Sequence, residues 1–207
     1  MTLEGPMVAA TPVQGSLELL EQAGAAVRPQ DLAGLWAKDP VASDVEGYER
    51  ALDLWQISGA QKATARLIEG LEIAVHGSTF SVHFLTIIPM FKVTEAYNLT
   101  RPVGMMRRDL RPGQATATAG LGAHGVTVAA SWSAPFAGRF EEAYELRDGG
   151  STLEVTSTIS VGTTSATTVQ VYRRQAQGMK REHLLSASER RHGKPTDILR
   201  RFGMPSF

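Results

Sequence analysis

Two short stretches far apart in the chain decide the predicted fold: residues 31–38 read DLAGLWAK, and residues 169–174 read VQVYRR. In the first stretch Leu32, Gly34 and Trp36 fall on alternate positions, and in the second Val169 and Val171 do, which is the spacing of a β-strand face. Between them lie a helical stretch and many short runs with the same alternation, as expected for a sheet that curls into a closed barrel. We expect the first stretch to open this barrel and the second to close it.

The chain between these two strands is predicted to contain a helix pair followed by strands only. Residues 43–52 and 60–68 are the two helices, and Ser43 with Glu46 three residues later has the capping-box pattern of a helix start. The pattern then favours strands at residues 71–76, 80–84, 91–99, 103–110, 114–119, 126–132, 139–146, 152–160 and 167–174. The predicted fold is therefore mainly β: an antiparallel up-and-down barrel of about ten strands, with a helix-turn-helix lid and flanking terminal helices.

Three regions follow from this pattern. Residues 1–30 are predicted to form an N-terminal arm with a short helix, residues 31–174 the barrel domain, and residues 175–207 a basic helical extension. Residues 173–207 hold nine basic and three acidic residues, a net charge of +6 in a chain that is neutral overall. Such a tail is suited to docking on an anionic surface or on the acidic body of the same chain, and a solvated helix with a loose end is the alternative.

The composition excludes several classes of function. The chain has no cysteine, so it forms no disulfide and has no cysteine nucleophile. Its 21 Lys and Arg balance 21 Asp and Glu, which gives no overall field for nucleic acid. No apolar run is long enough to span a membrane, and the first residues lack the pattern of a secretory signal. We expect a cytoplasmic protein without a nucleic-acid partner or a membrane span; its oligomeric state is not predicted.

Three local patterns carry a resemblance to a known family. They are Leu32-x-Gly34-x-Trp36 in the first strand, residues 48–52 in the first lid helix, and Gln170-Val171-Tyr172-Arg173 in the last strand. In this order and spacing the chain resembles the cytosolic fatty-acid-binding and retinoid-binding family of the calycin superfamily, over about residues 31–174. The resemblance implies a barrel cavity that binds an apolar small molecule, without a cofactor.

The same resemblance bears on the polar end of the ligand. In members that bind fatty acids, two Arg on the last strands and a Tyr two residues after the second hold the carboxylate. The resemblance places these Arg positions at Tyr144 and Gln170 and leaves only Tyr172. A buried carboxylate needs charged donors to offset its desolvation, so we expect a neutral head group, as on a retinoid-like or isoprenoid-like lipid. Retinol carriers of the family are similar in having Gln where acid carriers have Arg.

The predicted ligand contacts combine polar and apolar side chains. They are Tyr144, Gln170, Tyr172, Phe80, Val82, Phe84, Met90 and Phe91. The polar three could instead satisfy one another through buried water, and the apolar five are equally well explained as core or as packing beneath the lid. Arg107, Arg108 and Arg139 remain as other partners for an anion, although alternation turns Arg139 outward if Tyr144 points inward.

A second hypothesis is an enzyme that uses the same cavity. Glu142 shares the predicted inward face with Tyr144, and burial beside neutral groups would raise its pKa. Glu142 and Tyr144 could then transfer protons in an isomerase or cyclase that acts on an apolar substrate. A solvated position of Glu142 at the barrel mouth is the alternative. A third hypothesis is a structural module that presents its basic tail to a partner.

Two further motifs are weak. Residues 120–125 read GLGAHG, which matches a dinucleotide fingerprint by letters, but a strand rather than a helix is predicted to follow, so we expect a hairpin turn. His76 and His83 flank another hairpin without a carboxylate at ligand spacing, so no metal site is predicted.

Overall fold

The computed structural model describes residues 27–57, 59–88 and 93–193, together with Asp197 and Arg200. The predicted N-terminal arm and its helix lie almost wholly outside the described residues. The same holds for two predicted ligand contacts, Met90 and Phe91.

Ten strands and three α-helices make up the described chain. The strands are β1 (Gly34–Lys38), β2 (Ile68–His76), β3 (Thr79–Thr86), β4 (Val93–Asn98), β5 (Val103–Met106), β6 (Gln114–Gly122), β7 (Gly125–Trp132), β8 (Gly138–Arg147), β9 (Thr152–Val161) and β10 (Thr164–Arg174). The helices are α1 (Val45–Leu54), α2 (Gly59–Arg66) and α3 (Arg181–His192), with short 3-10 helices at Pro29–Leu32 and Asp148–Gly150.

The strands form one antiparallel sheet in the order β4-β3-β2-β1-β10-β9-β8-β7-β6-β5. The two stretches that decide the fold pair with each other: in β1, Trp36 lies opposite Arg174 of β10 and Leu71 of β2. Because the sheet curls, its two edge strands β4 and β5 approach each other, although no ladder joins them in the described part of the chain. The predicted mainly β, ten-stranded antiparallel barrel is confirmed, with a gap between β4 and β5.

The start of the helix pair differs from the prediction. Asp44, not Ser43, caps α1, and its carboxylate accepts a hydrogen bond from the Gly47 amide at 2.7 Å. The Ser43 hydroxyl accepts instead from the Val171 amide at 3.0 Å, so it fastens the lid to the last strand. Leu32, predicted inside the first strand, belongs to the preceding 3-10 helix, where its carbonyl accepts from the Trp36 indole.

The fifth strand is shorter than predicted. It ends at Met106, whereas the sequence pattern favoured a strand through residue 110. The chain turns because Arg107 and Asp109 form a buried ion pair two residues apart, and Leu110 adopts a positive φ of 60°. The alternation of inward and outward side chains along β5 therefore stops at Arg107.

The C-terminal helix packs on the outside of the barrel. A helix is predicted within the basic extension, residues 175–207, and the described one lies at Arg181–His192. Buried Leu184 covers β2 at Gly70, where a Cβ atom would lie 3.3 Å from the leucine side chain and 2.3 Å from the Trp36 carbonyl. Arg181 forms an ion pair with Glu72 on β2. The described part of the basic extension thus docks on the body of its own chain.

No helix within the described ranges combines the length and apolar character needed to cross a membrane.

Candidate functional site in the barrel cavity

A cavity of about 430 Å3 lies between the helix pair and the inner face of the barrel. This volume is within the range of about 300–1,000 Å3 that is typical of small-molecule sites. Apolar side chains of the lid and the strands supply most of its wall, among them Leu52, Trp55, Ile57, Leu71, Phe84, Met105, Val155 and Ile159. The polar and charged lining residues include Lys38, Tyr48, Glu95, Arg107, Arg108, Glu142, Tyr144, Ser157, Thr168, Gln170 and Tyr172.

The structure brings four of the eight predicted ligand contacts to this cavity: Tyr144, Gln170, Tyr172 and Phe84. Phe80 and Val82 are fully buried but do not line it, because they belong to the core beneath. Phe80 instead packs edge-on against Tyr144, with 5.4 Å between the ring centres. The predicted strand face is therefore inward throughout, but only its end at Phe84 reaches the cavity.

Gln170 joins the last strand to the start of the lid. Its Nε2 donates to the carbonyl oxygen of Asp44 at 3.0 Å and to Thr168 Oγ1 at 3.1 Å. A carbonyl only accepts hydrogen bonds, so this contact identifies the nitrogen of the amide. The other amide atom, Gln170 Oε1, is buried without a hydrogen-bond partner in the described part of the chain. An orphaned acceptor in a residue of the cavity wall is a group that a ligand or an ordered water would satisfy.

Two tyrosines of the wall differ in their hydroxyl groups. The Tyr48 hydroxyl donates to the Ala65 carbonyl at 3.2 Å and thereby ties α1 to α2. The Tyr172 hydroxyl makes no hydrogen bond to another described residue, although burial raises its pKa and keeps it a neutral donor. Lys38 stands opposite Tyr172 across the β1–β10 ladder, and its ammonium lies 4.9 Å from the centre of the Tyr48 ring. Burial lowers the pKa of Lys38.

The cavity wall contains a buried ion triad of Glu95, Arg108 and Glu142, which we call the interior triad. Arg108 Nε donates to Glu95 Oε1 at 2.8 Å, and Arg108 Nη2 donates to Glu142 Oε2 at 3.0 Å. Arg108 also forms close ion pairs with Glu95 Oε2 and Glu142 Oε1. The guanidinium stacks on Phe140 with 3.7 Å between its carbon and the ring centre. One cation is therefore shared by two buried carboxylates, and the triad carries a formal charge of −1.

Hydroxyl groups complete the coordination of both carboxylates. Tyr97 donates to Glu95 Oε2 at 2.6 Å, Tyr144 donates to Glu142 Oε2 at 2.7 Å, and Ser157 donates to Glu142 Oε1 at 2.7 Å. With its two contacts to Arg108, the Glu142 carboxylate accepts four hydrogen bonds, which is its full capacity. It has no lone pair left for a substrate proton.

The expectation that burial raises the pKa of Glu142 is wrong. Burial alone would raise it, but the Arg108 charge and the hydrogen bonds from Arg108, Ser157 and Tyr144 together lower it. The charges of Glu142 and Glu95 in turn hold the pKa of Arg108 well above its ordinary value, although burial acts in the opposite direction. Glu142 is also not solvated at the barrel mouth, because it is only 7% exposed, whereas its neighbour Glu141 points outward. Glu142 and Arg108 are therefore both charged near neutral pH.

The interior triad also spans the gap in the barrel. Glu95 lies on the edge strand β4, Glu142 lies on β8, and Arg108 follows the other edge strand, β5. Its side-chain contacts connect the two edge strands, between which the described residues form no backbone ladder. The same three charged side chains therefore line the cavity and bridge the gap between the edge strands.

Arg111, in the β5–β6 connection, is a second charged residue that holds the lid. Arg111 donates to the Trp55 carbonyl and to Gln56 Oε1, each at 3.2 Å, at the turn after α1. It also pairs with buried Asp109 at 3.1 Å, and its guanidinium carbon lies 4.2 Å from the centre of the Phe136 ring. The helix pair is therefore fastened at both ends of α1, to β10 by Asp44 and to the β5–β6 connection by Arg111.

Strand alternation places Glu142 inside the barrel but does not predict its pairing with Arg108. Strand alternation from Val103 and Met105 points Arg107 inward and Arg108 outward, but the turn at residue 107 brings both into the cavity wall. Glu95 alternates with the apolar residues Val93 and Tyr97, a signal sufficient to place it inside. The predicted outward direction of Arg139 agrees with its exposed ion pair to Glu141.

The described residues contain no cluster of three or more His, Asp or Glu side chains arranged to hold a metal. The hairpin expected at residues 120–125 is present, with Gly122 opposite Gly125 in the β6–β7 ladder.

Comparison with solved structures identifies the architecture. Lipid binding protein 8 of Caenorhabditis elegans superposes with a TM-score of 0.54 at 14% identity, over 73% of this chain and 100% of its own. The chain has the fold of the fatty-acid-binding barrels. A fatty acid binding protein of Schistosoma mansoni in complex with arachidonic acid aligns at 12% identity and a TM-score of 0.52, over 72% of this chain and 98% of its own. The zebrafish ileal bile acid-binding protein complexed with cholic acid aligns at 20% identity and a TM-score of 0.50, over 70% of this chain and 99% of its own.

The sequence matches no protein-family model and no curated protein. The likeness to the fatty-acid-binding barrels is therefore one of fold, and the side chains of this cavity must be interpreted from their own chemistry.

Proposed function

We propose that this protein binds one largely apolar small molecule with an uncharged polar end inside the barrel. The observation that carries the proposal is the division of polar groups in the cavity wall. Arg107 and Arg108 are both committed to internal carboxylates, and Lys38, which forms no salt bridge with a described residue, lies over the Tyr48 ring. The buried wall atoms without a hydrogen-bond partner among the described residues, Gln170 Oε1 and Trp55 Nε1, are neutral. An alcohol, amide or ester can donate to or accept from such atoms without bringing a charge out of water.

Burial of the hydrocarbon part supplies the affinity in this proposal. Removing apolar surface from water contributes roughly 25 cal/mol per Å2, and the wall is mainly aliphatic and aromatic. Neighbours with this fold are described in complex with arachidonic acid or cholic acid. Those ligands support an apolar ligand here as well, but both arginines among the described wall residues are already paired with carboxylates.

The enzyme hypothesis receives no support from the geometry of Glu142. All four acceptor positions of its carboxylate are used by Arg108, Tyr144 and Ser157. A general base needs a free acceptor position within reach of the proton that it removes. We therefore favour a binding protein over an isomerase or cyclase.

Displacement of a fluorescent probe by lipids of one chain length tests the proposal. We expect oleyl alcohol, oleamide and methyl oleate to displace the probe, and native mass spectrometry to show one lipid per chain. Ala65→Trp, which adds bulk to the cavity wall, should weaken binding strongly. Ala129→Trp adds the same bulk to the outer face of β7, away from the cavity, and is the matched control. Failure of every lipid to bind, or equal binding by Ala65→Trp and the unaltered protein, would contradict the proposal.

A further inference from the structure

We propose that Glu95 and Glu142 act as internal ligands of Arg108 and thereby set the charge preference of the cavity against lipids with an anionic end. This inference deepens the proposed function and rests on it. It concerns specificity: the residues that exclude a carboxylate are different from those that we expect to contact the neutral head group.

The Arg108 guanidinium is already occupied by ligands from within the protein. A guanidinium has five N–H groups, and four of them are directed at Glu95 and Glu142. One face of the guanidinium is also covered by Phe140. A carboxylate from a ligand could therefore not form the bidentate pair that makes arginine a strong carboxylate receptor, unless it displaced one of the glutamates.

The interior triad also carries a net negative charge. One guanidinium and two carboxylates leave the interior triad with a formal charge of −1 in a buried site, where charges are weakly screened. A third carboxylate brought close to this triad would be repelled and would also lose its hydration. An uncharged head group meets neither penalty.

The cavity wall contains two other cations, Arg107 and Lys38, among its described residues. Arg107 is paired with buried Asp109 and donates to the carbonyls of Pro135 and Phe136. Lys38 has no salt bridge with a described residue, and its ammonium lies over the Tyr48 ring. Lys38 is therefore the position at which an anionic lipid would bind if the proposal were wrong.

The preference has a structural origin that can be reversed. Tyr144 and Ser157 donate to different oxygens of the Glu142 carboxylate. In Glu142→Gln, the amide oxygen can keep one of these hydrogen bonds and the amide nitrogen can donate to the other hydroxyl oxygen, but one charged partner of Arg108 is gone. Arg108 then becomes available to a ligand carboxylate while the local formal charge rises to zero. Glu95→Gln has the same effect from the β4 side, with Tyr97 retained as a donor to the amide oxygen.

The experiment compares oleate with oleyl alcohol on the unaltered protein and on single variants. We expect the unaltered protein to bind oleyl alcohol at least about tenfold more tightly than oleate. Glu142→Gln should bind oleate about tenfold more tightly than the unaltered protein does, the usual size of one charge-assisted contact. Its affinity for oleyl alcohol should change less than about threefold. Glu141→Gln removes the same charge from the outer face of β8 and should leave both affinities unchanged.

Three results would overturn the inference. One is equal affinity of the unaltered protein for oleate and oleyl alcohol, which needs no variant. Another is tight oleate binding that Lys38→Met abolishes. The last is an unchanged oleate affinity in whichever of Glu142→Gln and Glu95→Gln keeps a cooperative unfolding transition. If no lipid binds the unaltered protein, the proposed function fails; oleate binding to Glu142→Gln would still support the role of the glutamates.

Discussion

Arg108 is the residue on which the interior of this barrel depends. It is the one cation shared by Glu95 and Glu142, and both carboxylates are buried. Removing one partner of a buried ion pair leaves an uncompensated charge, which typically costs about 3–5 kcal/mol. Arg108→Leu should therefore lower the free energy of unfolding by that amount in chemical denaturation. Arg139→Leu breaks only an exposed pair with Glu141 and should cost at most about 1 kcal/mol; similar costs for both variants would contradict this view of Arg108.

Two buried tyrosines should behave differently when their hydroxyl groups are removed. Tyr144→Phe takes a hydrogen bond from the Glu142 carboxylate and should destabilise the protein by roughly 1–3 kcal/mol. Tyr172→Phe removes a hydroxyl without a partner among the described residues, so its cost should be smaller, and its main effect should be weaker binding of oleyl alcohol. Thermal unfolding and probe displacement on both variants measure this contrast. The reverse order of the two stabilities would refute the assignment.

The lowered pKa of Glu142 predicts how stability depends on pH. Because the pKa is below the ordinary value of 4.5 in the folded state, Glu142 contributes stability above about pH 4.5 and loses it as the pH falls toward the folded-state pKa. The unaltered protein should therefore lose more unfolding free energy than Glu142→Gln between pH 5 and the acid transition. Urea denaturation at several pH values tests this, and parallel curves for the two proteins would show that Glu142 is not stabilised as a carboxylate.

At the level of single elements, the helix pair is held to the barrel by polar contacts at both ends of α1. Arg111 provides the contact at the turn after α1, through Trp55 and Gln56. Arg111→Ala should loosen this end of α1, because the Trp55 carbonyl and Gln56 Oε1 lose the donor that ties them to the β5–β6 connection. Hydrogen exchange of residues 45–66 should become faster, and ligand should dissociate faster. Arg147→Ala, which removes a cation paired with Glu145 and Glu154, is the control and should change neither rate. Equal effects of the two variants would argue against Arg111 as the residue that holds this end of α1.

The strands were more predictable than the turns between them. Alternation located nine of the described strands after β1 because one face of each is buried, and period-two burial is visible in single residues such as Phe140, Glu142 and Tyr144. The ends were less predictable, because they depend on side-chain contacts with distant parts of the chain. The Arg107–Asp109 pair ends β5, and the Val171 amide draws Ser43 away from its expected role as a helix cap.

Across the whole molecule, the charge asymmetry of the sequence is partly resolved within the chain. Arg173 pairs with Asp39 on the body, Arg181 pairs with Glu72, and Arg174 donates to the backbone carbonyls of Asp31, Ala33 and Gly150. The order of strands, the lid and the inward face could be read from the sequence. The contents of the cavity could not, because the interior triad joins β4, β8 and the turn after β5, and only the curvature of the sheet brings these together.

A crystal structure of the protein with oleyl alcohol would test most directly whether an uncharged lipid binds inside the barrel. We expect a hydrocarbon chain inside the 430 Å3 cavity, with the alcohol oxygen within hydrogen-bond distance of the Tyr172 hydroxyl, Gln170 Oε1 or Trp55 Nε1. The Glu95–Arg108–Glu142 contacts should be unchanged in that complex. An alcohol bound on the outer surface of the barrel, or an oxygen seated on Arg108 in place of a glutamate, would contradict the account.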